Sequence, residues 1–346
     1  MTDPTGALAA AYPELIQCLA DADEYAATDV ALGLLAAGVP AESVLLELIA
    51  PAQAQVGRWW QANEWSVAQE HAATHISERV VAAVSSYASP RPNRGRVVVA
   101  CMDGEWHALP ARLVAEVLRL RGWNVTFLGA SVPAAHLVSY LHRNDAQAVA
   151  LGCAVPMRLP QAHAMIEACR RADVPILVGG RGFGADGRWA ERLGVTWAPD
   201  AVTAAELVGN EELLDRPPSG PPPQLADDEY AGLVRRRGEL IDSALGALRQ
   251  ASPAVRDYTP DQLDRTIEDL GYIVDFLAAA VYVDDPTLFE EFLDWLLEVL
   301  GSRGVPAAPV QATLAHFAGE LRDFPRARRF LGADRDLRVP APAVTG

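Results

Sequence analysis

Between residues 97 and 178 four short apolar runs alternate with longer amphipathic stretches, and this alternation constrains the fold more than any other feature of the chain. Val97 to Cys101, Asn124 to Leu128, Ala148 to Gly152 and Ile176 to Val178 predict strands, and Ala111 to Arg121, Ala134 to Leu141 and Gln161 to Ala172 predict helices between them. Strands and helices taken in turn build a parallel, doubly wound sheet, which binds ligands outside the carboxyl ends of its strands. Glu105-Trp106-His107 follows the first run. That order sets an imidazole, with a carboxylate two residues before it, on the ligand-binding edge.

The flanks read differently. From Tyr12 to Tyr87 apolar residues recur at helical spacing, as in Leu15-Ile16/Leu19, Val30/Leu34-Leu35 and Val44-Leu45/Leu48-Ile49, with Gly38-Val39-Pro40 as punctuation. A bundle of about four helices fits that length. Pro90-Arg91-Pro92-Asn93-Arg94-Gly95 is a hinge into the sheet, and Arg216 to Pro223 is too proline-rich for packed structure and predicts a semi-rigid linker. Glu229 to Leu331 predicts helices again, with Asp285-Pro286 as an N-cap and first-turn pair, Gly301 as a stop, and Pro306 to Pro309 as a break before a last helix over Gln311 to Leu321. The expected architecture is multidomain α and α/β: a helical bundle over 8–90, a Rossmann-like sheet domain over 94–212, a linker over 213–226 and an all-helical domain over 227–334.

Charge and cysteine content narrow the function. Acidic residues outnumber basic ones, 45 to 29, for a net charge of −16, which opposes unaided binding to nucleic acid or to an anionic membrane. Cys18, Cys101, Cys153 and Cys169 form no Cys-x-x-Cys pair, so neither a zinc site nor a disulfide framework is expected. The opening residues carry no signal-like core, and no apolar stretch reaches the roughly 18–20 residues of a membrane span. The expected setting is cytoplasmic, without a membrane partner.

In the middle domain Glu105-x-His107, Gly129-Ala130-Ser131-Val132-Pro133 at the second strand end and Gly179-Gly180 after the fourth strand resemble the cobalamin-binding fold of methionine synthase-like and mutase-like proteins. The resemblance implies that His107 is the lower cobalt ligand and that the nucleotide tail of the cofactor enters a slot in the sheet. A ligating imidazole works best with its second nitrogen on a carboxylate, which Glu105 can provide, and paired glycines let a bulky ligand approach the backbone. Trp106, Cys153, Val155, Gly179 and Gly180 are the further cofactor contacts expected here. The chain departs from the family pattern at four places: Glu105 stands for the usual Asp, Pro110 for a Gly, Cys153 for a Ser and Val155 for a Leu or Thr.

A narrower resemblance lies in the first domain. Trp60, nine intervening residues and Glu70-His71 are similar to the signature of the helical cap in adenosylcobalamin photoreceptors. By that resemblance Trp60 covers the upper axial group, Glu70 bonds the adenosyl ribose, and His71 approaches cobalt after light breaks the cobalt–carbon bond. Those photoreceptors place a helix-turn-helix domain before the cap; here the cap begins almost at the first residue, so no direct contact with nucleic acid is expected.

In the last domain, eleven of the twelve residues from Tyr272 to Val283 are apolar or aromatic, which predicts a helix buried nearly all round, with Asp275 as a buried carboxylate in need of donors. Two readings stay open: the pyrrole nitrogens of a tetrapyrrole satisfy Asp275, or one of Arg303, Arg322, Arg326, Arg328 and Arg329 pairs with it. His316 reads either as a ligand or as a packed polar residue. The domain order resembles the photocobilins, which hold cobalamin and a linear bilin, biliverdin, in one protein with a globin-like or phycobiliprotein-like half. By that resemblance Tyr272, Asp275, Tyr282, Arg303 and His316 are the candidate bilin contacts. No cysteine follows Cys169, so a bilin there would be held without a thioether.

The function expected from these readings is photosensing rather than catalysis. Cobalamin, with adenosyl or another upper ligand, and biliverdin are the expected cofactors, and a homo-oligomer that responds to light is the expected assembly. A corrinoid methyl-carrier using the same His107, and a haem-based sensor using His316, are the alternatives.

Overall fold

The structure is a computed structural model that describes residues 4–88, 90–210, 227–251 and 253–332. The segment expected to be a linker, 213–226, lies outside the described residues. The chain divides into two units, Met1–Pro217 and Pro218–Gly346.

The first unit opens with α1 (Pro4–Ala20) and α2 (Glu24–Ala36), the latter capped by Asp23, whose carboxylate accepts from the Tyr25 and Ala26 amides. A third long helix starts as α3 (Ala41–Ser43), passes through a π-helical stretch at Val44–Ile49 and continues as α4 (Ala50–Gln61); α5 (Val67–Ala88) completes the bundle. Val44, Leu45, Leu48 and Ile49 are fully buried at its centre, each contributing about 1.5–3 kcal/mol of transfer free energy.

The sheet domain follows as β1 (Arg96–Cys101), α6 (Ala108–Leu120), β2 (Asn124–Gly129), α7 (Ala134–Asn144), β3 (Ala148–Gly152), α8 (Leu159–Arg171), β4 (Ile176–Gly179), α9 (Arg188–Arg192), β5 (Thr196–Ala198) and α10 (Ala201–Val208). All strands are parallel, in the order β2-β1-β3-β4-β5. The direction of winding reverses at β1, so the crevice between the carboxyl ends of β1 and β3 is the topological switch point, where ligands of doubly wound sheets bind.

Helix α6 belongs to two cores. Ala111, Ala115, Val117 and Leu118 pack with the sheet, whereas Leu109 and Leu113 pack with the bundle. On the same helix Glu116, 1% exposed, accepts from Ser85 of α5 and from Arg112 and Arg119, and the Arg121 guanidinium grips Glu42 of α3 at 2.7 Å. The bundle is thus fastened to the helix that begins one residue after His107.

The second unit is helical throughout its described residues: α11 (Glu229–Ala251), α12 (Pro253–Arg256), α13 (Pro260–Val283), α14 (Pro286–Ser302), α15 (Ala308–Glu320) and α16 (Pro325–Phe330). Asp285 caps α14 through the Thr287 amide, with Pro286 in the first turn, as expected. The break expected over 306–309 is shorter, because Pro309 is tolerated in the first turn of α15, and α16 was not foreseen. All of Tyr272 to Val283 is buried except Tyr272 and Asp275.

Three expectations for this unit are corrected. The Asp275 side chain is 33% exposed rather than buried. Its partner is none of the five arginines considered: Arg237 of α11 reaches across and donates to both carboxylate oxygens, at 2.7 and 2.9 Å. Tyr272 is 43% exposed, on the same outer face of α13. Arg326 is engaged by Glu229, Asp227 and the Val281 carbonyl, and Arg303 donates to the Val299 carbonyl and the Ser302 hydroxyl.

Candidate functional site: an imidazole at the switch point beneath a polar helical cap

Glu105 lies in the loop after β1, is 2% exposed, and every bond it makes has a role. Its Oε1 receives the His107 amide at 2.9 Å and lies 2.6 Å from His107 Nδ1. Its Oε2 receives the Ala154 and Val155 amides, at 2.7 and 3.1 Å, from the loop after β3. One carboxylate therefore spans the switch point and ties the two loops that border it. Here the longer Glu side chain, where the family has Asp, holds the imidazole and the far loop together.

Burial pushes the Glu105 carboxyl up, but bonds from the His107 ring and amide and from Ala154 outweigh it and hold the group below its ordinary range. The bond to Glu105 raises His107 in turn, against its own desolvation. With Nδ1 on the carboxylate, Nε2 is the nitrogen left for a ligand, and the ring is 65% exposed. The charge of Glu70, from the bundle, also acts on His107.

The loop after β2 braces the same site: the Ser131 amide donates to the Glu105 carbonyl at 2.9 Å, and the Gly104 amide to the Ser131 hydroxyl at 3.1 Å. The Arg158 guanidinium lies against Gly104, whose φ of +75° and absent side chain make room for it. Trp106, 74% exposed, stands beside His107. Cys153 is buried at 1%, its thiol turned onto the Val155 carbonyl and its pKa pushed well up by burial.

The paired glycines also have a steric role within the chain itself. A Cβ on Gly180 would come within 2.2 Å of the Cys153 carbonyl oxygen, and one on Gly179 within 3.2 Å of the Ala198 carbonyl oxygen. Their small size lets the end of β4 lie close against the loop after β3 and against β5.

On the bundle side Glu70 and His71 open α5, and Trp60 lies in the last turn of α4, half-buried. His71 Nδ1 is 2.5 Å from Glu70 Oε2, and the Thr74 hydroxyl donates to Glu70 Oε1 at 2.8 Å. Trp59 stacks on Trp65 with centroids 4.9 Å apart, the packing role expected of a bundle tryptophan. Thr74, Gln53, Ser77 and Arg158 carry no motif in the sequence; the sequence-level signal for Thr74 is its place one helical turn after Glu70.

In the second unit Tyr282 and His316 have partners within the helical domain. Tyr282 packs edge-on against Tyr230 at 4.7 Å, and His316 Nε2 lies 2.8 Å from the Ser243 hydroxyl, a packed polar residue. A different seam joins α13 and α14: Phe276 stacks on Phe292 at 3.8 Å, Trp295 follows at 6.3 Å from Phe292 and is 37% exposed, and Tyr272 lies one turn before Phe276. Farther along α13, Asp269 is raised to about 6 by burial and by Glu268, with Arg303 opposing.

The donor set of the first unit fits a corrin. A metal already held by a macrocycle needs a single axial imidazole with a fixed tautomer, and Glu105 fixes that of His107. No described helix is long and apolar enough to cross a membrane.

Comparison with known proteins agrees with this geometry. Residues 95–208 match the family model of a B12 binding domain, and residues 12–85 match a second B12 binding domain model. Two curated relatives from Myxococcus xanthus are similar: the HTH-type transcriptional repressor CarA, 34% identical over 121 residues (34% of this chain, 41% of that protein), and the HTH-type transcriptional repressor CarH, 36% identical over 119 residues (33% and 38%). The chain thus spans about two-fifths of the length of these relatives. Among solved structures, the Methanosarcina barkeri monomethylamine corrinoid protein superposes with a TM-score of 0.51 over 57% of this chain and 97% of that one, at 18% identity, a likeness of fold. The first unit therefore contains B12-binding domains, a helical module followed by a Rossmann-like sheet.

Proposed function

We propose that this chain is a cobalamin-dependent photosensor, in which His107 holds the lower face of the cofactor and Trp60, Glu70 and His71 face its upper side. The observation that carries the reading is the Glu105 carboxylate, which bridges the switch point, takes Nδ1 of His107 and leaves Nε2 of a largely exposed ring for a ligand. When bound, cobalamin would supply visible-light absorption and a cobalt–carbon bond that light can break. Glu105 would keep Nε2 of His107 as the ligating nitrogen, Trp60 would exclude water above, and Glu70 and His71 would offer an acceptor and a second imidazole there. Helix α6, shared by bundle and sheet, would carry a change at the site into the rest of the unit. A plain carrier of methyl groups has no need of the Glu70–His71 pair, and this favours sensing over the corrinoid-carrier reading.

The second unit is proposed to hold a linear bilin without a covalent bond. Its support is the aromatic seam of Tyr272, Phe276, Phe292 and Trp295, bordered by the Asp269 carboxyl and by Arg303, which together suit a flat conjugated ligand with N–H donors and carboxylates. Signalling would proceed by rearrangement of an oligomer rather than by catalysis, with the downstream partner set by surfaces outside the site.

Absorption spectra of the full chain with adenosylcobalamin and biliverdin, before and after illumination, test this. Support is a bound cobalamin spectrum that changes with light, beside a red-shifted bilin band. A bound but light-insensitive cobalamin spectrum would overturn photosensing in favour of a carrier, and absence of a bilin band would overturn the proposal for the second unit. Equal elution volumes in dark and light would remove the oligomer change.

A further inference from the structure

We infer that Ser77, Gln53 and Thr74 form a directed hydrogen-bond strut that positions Glu70 and fixes the tautomer of His71, with the proton on Nδ1 and the lone pair on Nε2. The inference deepens the photosensor reading, because it assigns positioning residues to the upper face.

The direction of each bond follows from the donors available. The Ser77 hydroxyl, on a residue 2% exposed, donates to Gln53 Oε1 at 3.0 Å, which orients the amide so that Nε2 meets Thr74 Oγ1 at 2.5 Å. An amide nitrogen only donates, so Thr74 accepts there and its single proton goes to Glu70 Oε1, 2.8 Å away. An ionised carboxylate only accepts, and with Oε1 taken by Thr74 its Oε2 lies 2.5 Å from His71 Nδ1. An acceptor at that distance requires the proton on Nδ1, so the lone pair of the imidazole, the one that can ligate, is on Nε2.

The strut also sets a spacing. Gln53 and Trp60 lie seven residues apart on α4, on one helical face, while Thr74, Glu70 and Ser77 belong to α5. The Gln53–Thr74 bond thus fixes α4 against α5 where the tryptophan and the carboxylate–imidazole pair must meet a common ligand. Polar groups half-buried between two helices are retained at a cost unless they are fully partnered, and every bond in this set is made.

The test combines a readout that needs no cofactor with one that does. In the full chain without cobalamin, histidine carbon and nitrogen chemical shifts report the tautomer of His71, with His71→Gln identifying the signal. Wild type is expected to show the Nδ1–H form, Thr74→Val and Gln53→Leu a mixture of both forms, and Thr74→Ser the wild-type form again. In the chain loaded with adenosylcobalamin, dark affinity is expected to stay within about twofold, while the light-induced spectral change slows by roughly 10-fold in Thr74→Val and recovers in Thr74→Ser. An Nδ1–H tautomer that survives both Thr74→Val and Gln53→Leu overturns the strut. A wild-type chain that shows the expected tautomers but binds no cobalamin overturns the cofactor reading and leaves the strut standing.

Discussion

The first unit contains two carboxylate–imidazole pairs, Glu105–His107 and Glu70–His71, alike in their contact and different in what stands behind it. In both, a carboxylate takes Nδ1 and leaves Nε2 for another partner. Glu105 is 2% exposed and held by main-chain amides from two loops of the sheet. Glu70 is 24% exposed and held by the Thr74 side chain, with a ring beside it that is 75% exposed. A main-chain cradle moves only if the sheet moves, whereas a side-chain strut rearranges by rotamer. On the proposed reading, the lower pair would serve permanent ligation and the upper pair ligation that comes and goes.

The sharpest way to break this contrast is Glu105→Ala. It leaves three amide donors without their acceptor, and a cost of about 3 kcal/mol is expected, or roughly 6–12 °C in the melting midpoint of a unit this size. Thermal unfolding without cofactor measures it, and a loss below about 1 kcal/mol would deny Glu105 its bridging role. Next, His107→Ala is expected to weaken dark cobalamin binding at least as much as loss of an outer-shell partner does, about 10–100-fold, whereas His71→Ala should leave dark affinity nearly unchanged. Equal losses in a spectroscopic titration would erase the difference between the two faces. Smaller still, Glu70→Ala should change stability by no more than about 0.5 kcal/mol while removing the light-dependent spectral change; the paired measurement is a melting curve and a light-minus-dark spectrum.

The smallest effect sharpens the comparison from the second unit. Asp269 is half-buried, with Arg303 as the cation that opposes its shift, and its carboxyl is pushed up to about 6 where that of Glu105 is held low. A carboxyl raised in the folded state binds its proton more tightly there than in the unfolded chain, so its contribution favours folding at acid pH and is lost as pH rises from about 4 through 6. Asp269→Asn is therefore expected to stabilise the second unit at pH 8, by less than about 0.5 kcal/mol, and to have no effect at pH 4. Melting curves of both proteins across that range should converge toward acid; parallel curves would count against the raised pKa.

The lower site was more legible in the sequence than the upper one, for a physical reason. β1 and β3 announce themselves as apolar runs, so the loop carrying Glu105 and His107 could be placed on the ligand edge from pattern alone. β5 escaped notice because it is three residues long and partly polar, Thr196-Trp197-Ala198. The strut behind Glu70 joins residues on separate helices, Gln53 with Thr74 and Ser77, and spacing along one helix does not encode the rotation of another. The same blindness hid Arg237, which lies a whole helix before Asp275 yet takes the carboxylate in place of the five arginines that follow it.

Helix α6 extends the contrast beyond the two pairs. Its Leu109 and Leu113 complete the bundle while Ala111, Ala115 and Leu118 complete the sheet, so the bundle is missing one wall when taken alone. Cutting the chain in the hinge at 90–95 would not release a self-sufficient module but would lay bare a greasy trough along the bundle. The four helices and the sheet can therefore be exchanged between proteins only as a set, with α6 as the common timber.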